Sequence, residues 1–146
     1  MQLSEDDIAE RLESWPVARL ASRASDGRLH QVPIVFARSR GRLWSPVDGK
    51  VKRGGELARV RNLRVHPQVS LLLDEYRSDW TQLWWIRIDV RAEVLQPASL
   101  DDPEVSAAIA ALEAKYPQYA SVPVLRAPAT LIAFEIGRIA SWTASS

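Results

Sequence analysis

The sequence predicts a mainly β (α+β) chain, a six-stranded antiparallel barrel with helices on its outside. Three observations lead there. Short apolar or alternating runs follow one another through hairpin-type turns. Helical periodicity is confined to two or three segments. The chain has 146 residues, 47% hydrophobic and 25% charged, which fits a single domain, 1–146, with a real core.

The elements follow in order. Ser4, with Asp7 three residues on, reads as a capping-box variant, and Ile8, Leu12 and Trp15 then recur at helical spacing until Pro16 stops the helix. Residues 17–23 and 29–38 are strand-like runs joined through Ser25, Asp26 and Gly27. Arg40 and Gly41 turn the chain into a strand holding Leu43, Trp44, Ser45 and Pro46. A basic segment ends in a helix-like stretch, after which residues 69–74 form an apolar run suited to a strand buried on both faces. The longest strand candidate is 82–95, with Trp84, Ile86, Ile88, Val90 and Ala92 on one face and Arg87, Asp89, Arg91 and Glu93 on the other. Pro103 opens a helix to about Lys115 with Val105, Ile109 and Leu112 turned inward, and 129–142 reads as the last strand. Trp44 is expected in the barrel interior.

Composition removes several classes of function. The chain has no cysteine, which excludes disulfides, thiolate metal sites and a cysteine nucleophile. Its two histidines, His30 and His66, are not at metal-ligand spacing, so no metal site is expected. Phosphate-loop, Gly-x-Gly-x-x-Gly and Gly-x-Ser-x-Gly signatures are missing, and no catalytic side chain stands out. The acidic start, Glu5, Asp6 and Asp7, carries no apolar run, and no stretch approaches the roughly 20 apolar residues that span a bilayer. The expectation is a cytoplasmic protein without a membrane partner.

The charge distribution is uneven. Six of nineteen basic residues lie at Lys50, Lys52, Arg53, Arg59, Arg61 and Arg64, with one acid, Glu56, among them. That window carries +5, while the rest of the chain, with thirteen basic and seventeen acidic residues, sums to −4. Concentrated cations beside Gly49, Gly54 and Gly55 and a helix start suit phosphate or carboxylate groups. The segment lacks interleaved exposed aromatics and the remaining surface is net negative, which argues against nucleic acid. A strong anion site without an acid–base pair points to a borrowed cofactor that carries the chemistry.

Several segments carry a family resemblance: Pro33-Ile34-Val35-Phe36, Gly41-Arg42-Leu43-Trp44-Ser45, Asp48-Gly49-Lys50-Val51-Lys52-Arg53, Arg59-Val60-Arg61-Asn62-Leu63, His66-Pro67-Gln68-Val69 and Asp79-Trp80 through Leu83-Trp84-Trp85-Ile86-Arg87. In this order they resemble the pyridoxamine 5′-phosphate oxidase-like split β-barrel (FMN-binding split barrel) superfamily, and within it the branch that uses the deazaflavin coenzyme F420. The resemblance runs from Ser4 to Trp142. It implies that Ser45, Lys50, Lys52 and Arg53 contact the coenzyme tail, and that Pro33, Ile34 and Val35 line its ring. Arg59 stands where related chains usually have Lys; it keeps the charge and can fork onto phosphate. Asn62 is expected to brace the loop. Trp80, Trp84, Trp85 and Arg87 are implied contributions from a second subunit, because this family builds its cofactor groove at a homodimer interface. Trp84 and Trp85 point to opposite faces of one strand, so one of them is a core candidate.

The functional expectation is a hydride-transferring oxidoreductase that uses reduced coenzyme F420 and a small conjugated or quinone-like acceptor. One alternative is an FMN-dependent oxidase or reductase. One phosphate needs only three or four donors, and the six cations suit a longer, multiply charged tail. The other alternative is a non-catalytic protein that binds a flavin, heme or tetrapyrrole.

Overall fold

A tyrosine hydroxyl divides what the sequence presents as one long strand. In the computed structural model, which describes residues 1–47 and 57–145, the expected 29–38 run is two strands, β2 (Leu29–Ile34) and β3 (Ala37–Ser39). Between them the backbone N–H of Phe36 donates to the Tyr116 hydroxyl at 3.0 Å, and that hydroxyl lies 2.8 Å from the Pro16 carbonyl and 3.0 Å from that of Phe36. Phe36's polar backbone groups are thus satisfied by a side chain instead of a ladder, and the strand breaks there.

The remaining elements are α1 (Glu5–Ser14), β1 (Ala18–Arg23), β4 (Arg42–Pro46), α2 (Ala58–Val65), β5 (Gln68–Glu75), β6 (Trp84–Leu95), α3 (Pro103–Lys115) and β7 (Leu131–Thr143). Among the described residues seven strands form one sheet in the order β2-β1-β5-β6-β7-β4-β3, with every pairing antiparallel. Six strands closing into a barrel is therefore corrected to seven in a sheet that does not close. β2 and β3, consecutive in the chain, are its two edges.

Local chemistry sets the element ends. Ser4 Oγ accepts the Asp7 N–H at 3.1 Å to start α1, a cap worth about 1 kcal/mol. The helix stops at Ser14 because Trp15, which precedes Pro16, is forced into extended backbone. Asp79 accepts from Thr81 N and Oγ1 at 3.0 and 2.6 Å, winding Trp80–Gln82 into a short 3-10 turn, so β6 begins at Trp84 and not at Gln82.

The alternation expected along β6 holds: Trp84, Ile86, Ile88, Val90 and Ala92 are buried, and Arg87, Asp89, Arg91 and Glu93 are exposed. The buried set joins Leu20, Leu71, Leu73, Phe36 and Phe134 in the main core, which Val60 and Leu63 of α2 cap. A second cluster lies on the opposite face of β3, β4 and β7, where Val105, Ala108, Ile109 and Leu112 of α3 cover Ala37, Trp44, Leu131 and Ala133. Trp44 is fully buried there, its indole N–H donating to the Ser39 carbonyl at 3.0 Å. The outer face of β2, β1, β5 and β6 has no helix over it among the described residues. Between Ile88 and Val90 the β6–β7 ladder shifts register. Gly137 sits at that bulge, where a Cβ would lie 3.0 Å from the Asp89 carbonyl oxygen, so the close approach of the two strands depends on a residue without a side chain.

Candidate functional site

β2 is an edge strand, so alternate backbone groups along its outer side are left over from the ladder with β1. Pro33 tolerates such a position because it has no N–H to pair. At this end of β2 a groove of about 300 Å³ opens, lined by Pro33, Ile34, Val35, Pro46 at the end of β4, and Arg59 in the first turn of α2. Its other wall comes from the segment between α3 and β7: Tyr119, Val122, Pro123, Val124 and Arg126. Two arginines and no acid stand among the described lining residues, and most of the rest are apolar.

The floor of this groove is held from behind. Val35 precedes the Phe36 backbone that Tyr116 grips, and Lys115 places its ammonium 3.6 Å from the centre of the Phe36 ring. Burial raises the Tyr116 phenol above its ordinary value, against a hydrogen bond from Phe36 that works the other way. Burial also pulls Lys115 down to about 8, with Glu13 partly opposing. Tyr119 meets Tyr116 edge to face at 6.1 Å, which ties the far wall to the same support.

The basic helix distributes its arginines. Arg59 lines the groove. Arg61 lines a separate cleft of about 420 Å³ under the β1–β2 hairpin, beside His30 and Asn62. Arg64 donates to the Gln96 side chain at 2.9 Å. Asn62 is buried and reaches Ser22 Oγ of β1 at 3.5 Å; the loop it is expected to brace lies outside the described residues.

The structure thus brings Pro33, Ile34, Val35 and Arg59 to one groove. Lys50, Lys52 and Arg53 lie outside the described residues. Ser45 is only 1% exposed, paired with Ile132 inside the β4–β7 ladder, and it is the neighbouring Pro46 that reaches the groove. Trp84 is 4% exposed and packs edge-on against Trp15 at 4.8 Å, so strand alternation gives it to the core and not to a ligand surface. Trp80 is 78% exposed, and Trp85 is half-buried with the Arg87 guanidinium 5.5 Å from its ring centre. Arg87 is exposed and stacked on an aromatic face. None of these four lines the groove of its own chain among the described residues. Sequence reading missed Tyr119 and Arg126. Their available signal was an aperiodic, proline-punctuated stretch carrying an aromatic and a cation, the usual make-up of a binding loop.

Among the described residues no group of three or more His, Asp or Glu side chains could hold a metal ion, and no helix is long and apolar enough to cross a membrane.

The pyridoxamine 5′-phosphate oxidase family model matches residues 4–143. No curated protein matches the chain. Among solved structures, an FAD-binding protein of Mesorhizobium loti superposes with a TM-score of 0.71 at 22% identity, covering 97% of this chain and 95% of its own. The heme storage protein HutZ of Vibrio cholerae superposes with a TM-score of 0.74 at 17% identity, covering 98% and 95%. A protein described as an F420 reductase superposes at 0.62 with 15% identity, covering 89% and 93%. At these identities the likeness is one of fold.

Proposed function

The chain belongs to the pyridoxamine 5′-phosphate oxidase family, and from that premise we propose that it is an oxidoreductase dependent on the deazaflavin coenzyme F420, acting in the cytoplasm on a small conjugated or quinone-like acceptor. The observation that carries this reading is the groove between the β2 edge and Arg59, with no acid among its described lining residues and continuous in sequence with the cation-rich window. Its volume, at the lower end of the range for ligand pockets, suits a planar ring whose tail leaves the groove. Left-over backbone groups at residues 33–35 match the hydrogen-bonding edge of such a ring. Arg59 matches a phosphate beside it. The donor set therefore fits the coenzyme.

When bound in reduced form, the deazaflavin supplies a hydride equivalent from its C5 position. The chain's part is to bind and orient. The β2 edge sets the plane of the ring, Arg59 anchors the phosphate, and Lys50, Lys52 and Arg53 hold the charged tail. The apolar Val122, Pro123 and Val124 exclude water from the facing side. No carboxylate or histidine lines the groove among the described residues, and this reading assigns the proton that completes reduction to solvent. In this reading a second copy of the chain closes the groove and brings Trp80, Trp85 and Arg87 to it.

Titration of the purified protein with coenzyme F420, FMN and heme in parallel tests the proposal. F420 should bind at low micromolar levels, more tightly than the other two. Arg59→Ala should weaken it about 10- to 100-fold, since a hydrogen bond to a charged group contributes about 1.5–3 kcal/mol. Preference for FMN or heme, or an unchanged affinity in both Arg59→Ala and Lys50→Ala/Lys52→Ala, sinks the reading.

A further inference from the structure

Arg126 is, with Arg59, one of the two arginines that line the groove among the described residues. Arg19, Arg28, Arg38, Arg42 and Arg77 each pair with an acid: Asp74, Asp26, Glu13, Glu93 and Glu104, and Glu75 respectively. Among the described residues Arg126 is exposed, makes no ion pair and lines a groove that holds no acid. Its wall is fixed in place. Val124, two residues earlier, is buried in the α3 cluster. The Arg126 carbonyl accepts the Ala129 N–H, and Tyr119 is braced on Tyr116.

The position also divides the labour between the two guanidiniums. Arg59 comes from α2, whereas Arg126 comes from the segment between α3 and β7. An anion already matched by Arg59 leaves Arg126 its own charge to satisfy. A planar guanidinium that shares a groove with an aromatic ring and apolar side chains suits a flat conjugated group ending in a carboxylate, which it can take with two parallel N–H donors.

We infer that Arg126 is a specificity residue that selects acceptors bearing a carboxylate, held with the conjugated part against Tyr119 and the carboxylate on the guanidinium. This rests on the oxidoreductase reading only in treating the bound molecule as the acceptor; the anion selectivity is a property of the groove itself.

The test uses 2-naphthoate and its uncharged partner 2-naphthamide as probes, titrated calorimetrically into the full-length protein with and without coenzyme F420. The wild type should bind the acid about 10-fold or more tightly than the amide. Arg126→Gln should remove that preference in the absence of F420 and leave the melting temperature unchanged, and Arg126→Lys should restore part of it, because it keeps the charge but not the fork. Equal or absent binding of the two probes to the wild type overturns the inference, as does an Arg126→Gln variant that keeps the preference. If the variant loses F420 affinity and not acid preference, Arg126 belongs to the cofactor and the inference is likewise wrong. Failure of F420 to bind while naphthoate remains selected through Arg126 would instead remove the cofactor reading alone.

Discussion

Lys115 is held in surroundings that disfavour its charge. Its ammonium lies over the Phe36 ring, 5.4 Å from the Tyr116 ring centre and 3.4 Å from the Leu12 carbonyl, which lowers it to about 8 through burial. Glu13 is the acid acting on it, and that carboxylate is shared with Arg38 at 2.9 Å. The folded value lies below the ordinary lysine value of 10.5. Between the two the unfolded chain holds a proton that the folded chain has released, so stability rises with pH across that window. Below about 8 both states are charged and the contribution is flat. Thermal melts from pH 7 to 10 should therefore show the wild type gaining stability relative to Lys115→Met. Parallel curves for the two proteins would show that the lysine is not buried as described. The residue scale also explains the unforeseen strand break at Phe36. Hydrophobic alternation describes which face a side chain takes, and carries no information about a hydroxyl arriving from a residue 80 positions away.

At the scale of elements, β6 shows how far periodicity goes. Alternation placed Trp84 and Trp85 on opposite faces before any contact was known, and the ladder respects it. Which of the two faces is the core depends on what packs there, namely Trp15 from the end of α1. Trp84→Ala should consequently cost about 3–5 kcal/mol by opening a cavity beside Trp15. Trp80→Ala, at an exposed turn, should change stability by less than about 0.5 kcal/mol. Denaturant melts of both variants distinguish the roles, and comparable losses would mean that Trp80 is not a surface residue. The helix α2 teaches a related lesson. Its sequence shows a run of cations, but an eight-residue helix turns successive arginines to different neighbours, so only Arg59 reaches the groove while Arg61 and Arg64 serve elsewhere.

Over the whole molecule, α3 covers one part of the sheet and leaves the rest of that surface open. The ladder registers align Pro33, Arg19, Leu72, Arg87 and Ala140 in one row across β2, β1, β5, β6 and β7. Beside that row Trp85 pairs with Trp142. Half-buried apolar groups edged by arginines compose a surface suited to a second copy of the chain. Sedimentation should accordingly give a dimer, and Leu72→Glu should yield a folded monomer with weakened coenzyme binding. A wild-type monomer that binds coenzyme at full affinity would remove the partner from the site.

Short-range physics made much of this chain legible in one dimension. Capping at Ser4, the arrest at Pro16, the faces of β6 and the span of α3 all depend on neighbours a few residues apart, and the sequence determined them alone. The resemblance carried by its motifs extended that to the family and to one side of the groove. Tertiary structure decided the seventh strand, the open sheet, the burial of Ser45 and Trp84, and the wall bearing Tyr119 and Arg126. Each of these arises where segments distant in sequence meet, and the free energy of such a meeting is set by packing and hydrogen-bond satisfaction that no local pattern records.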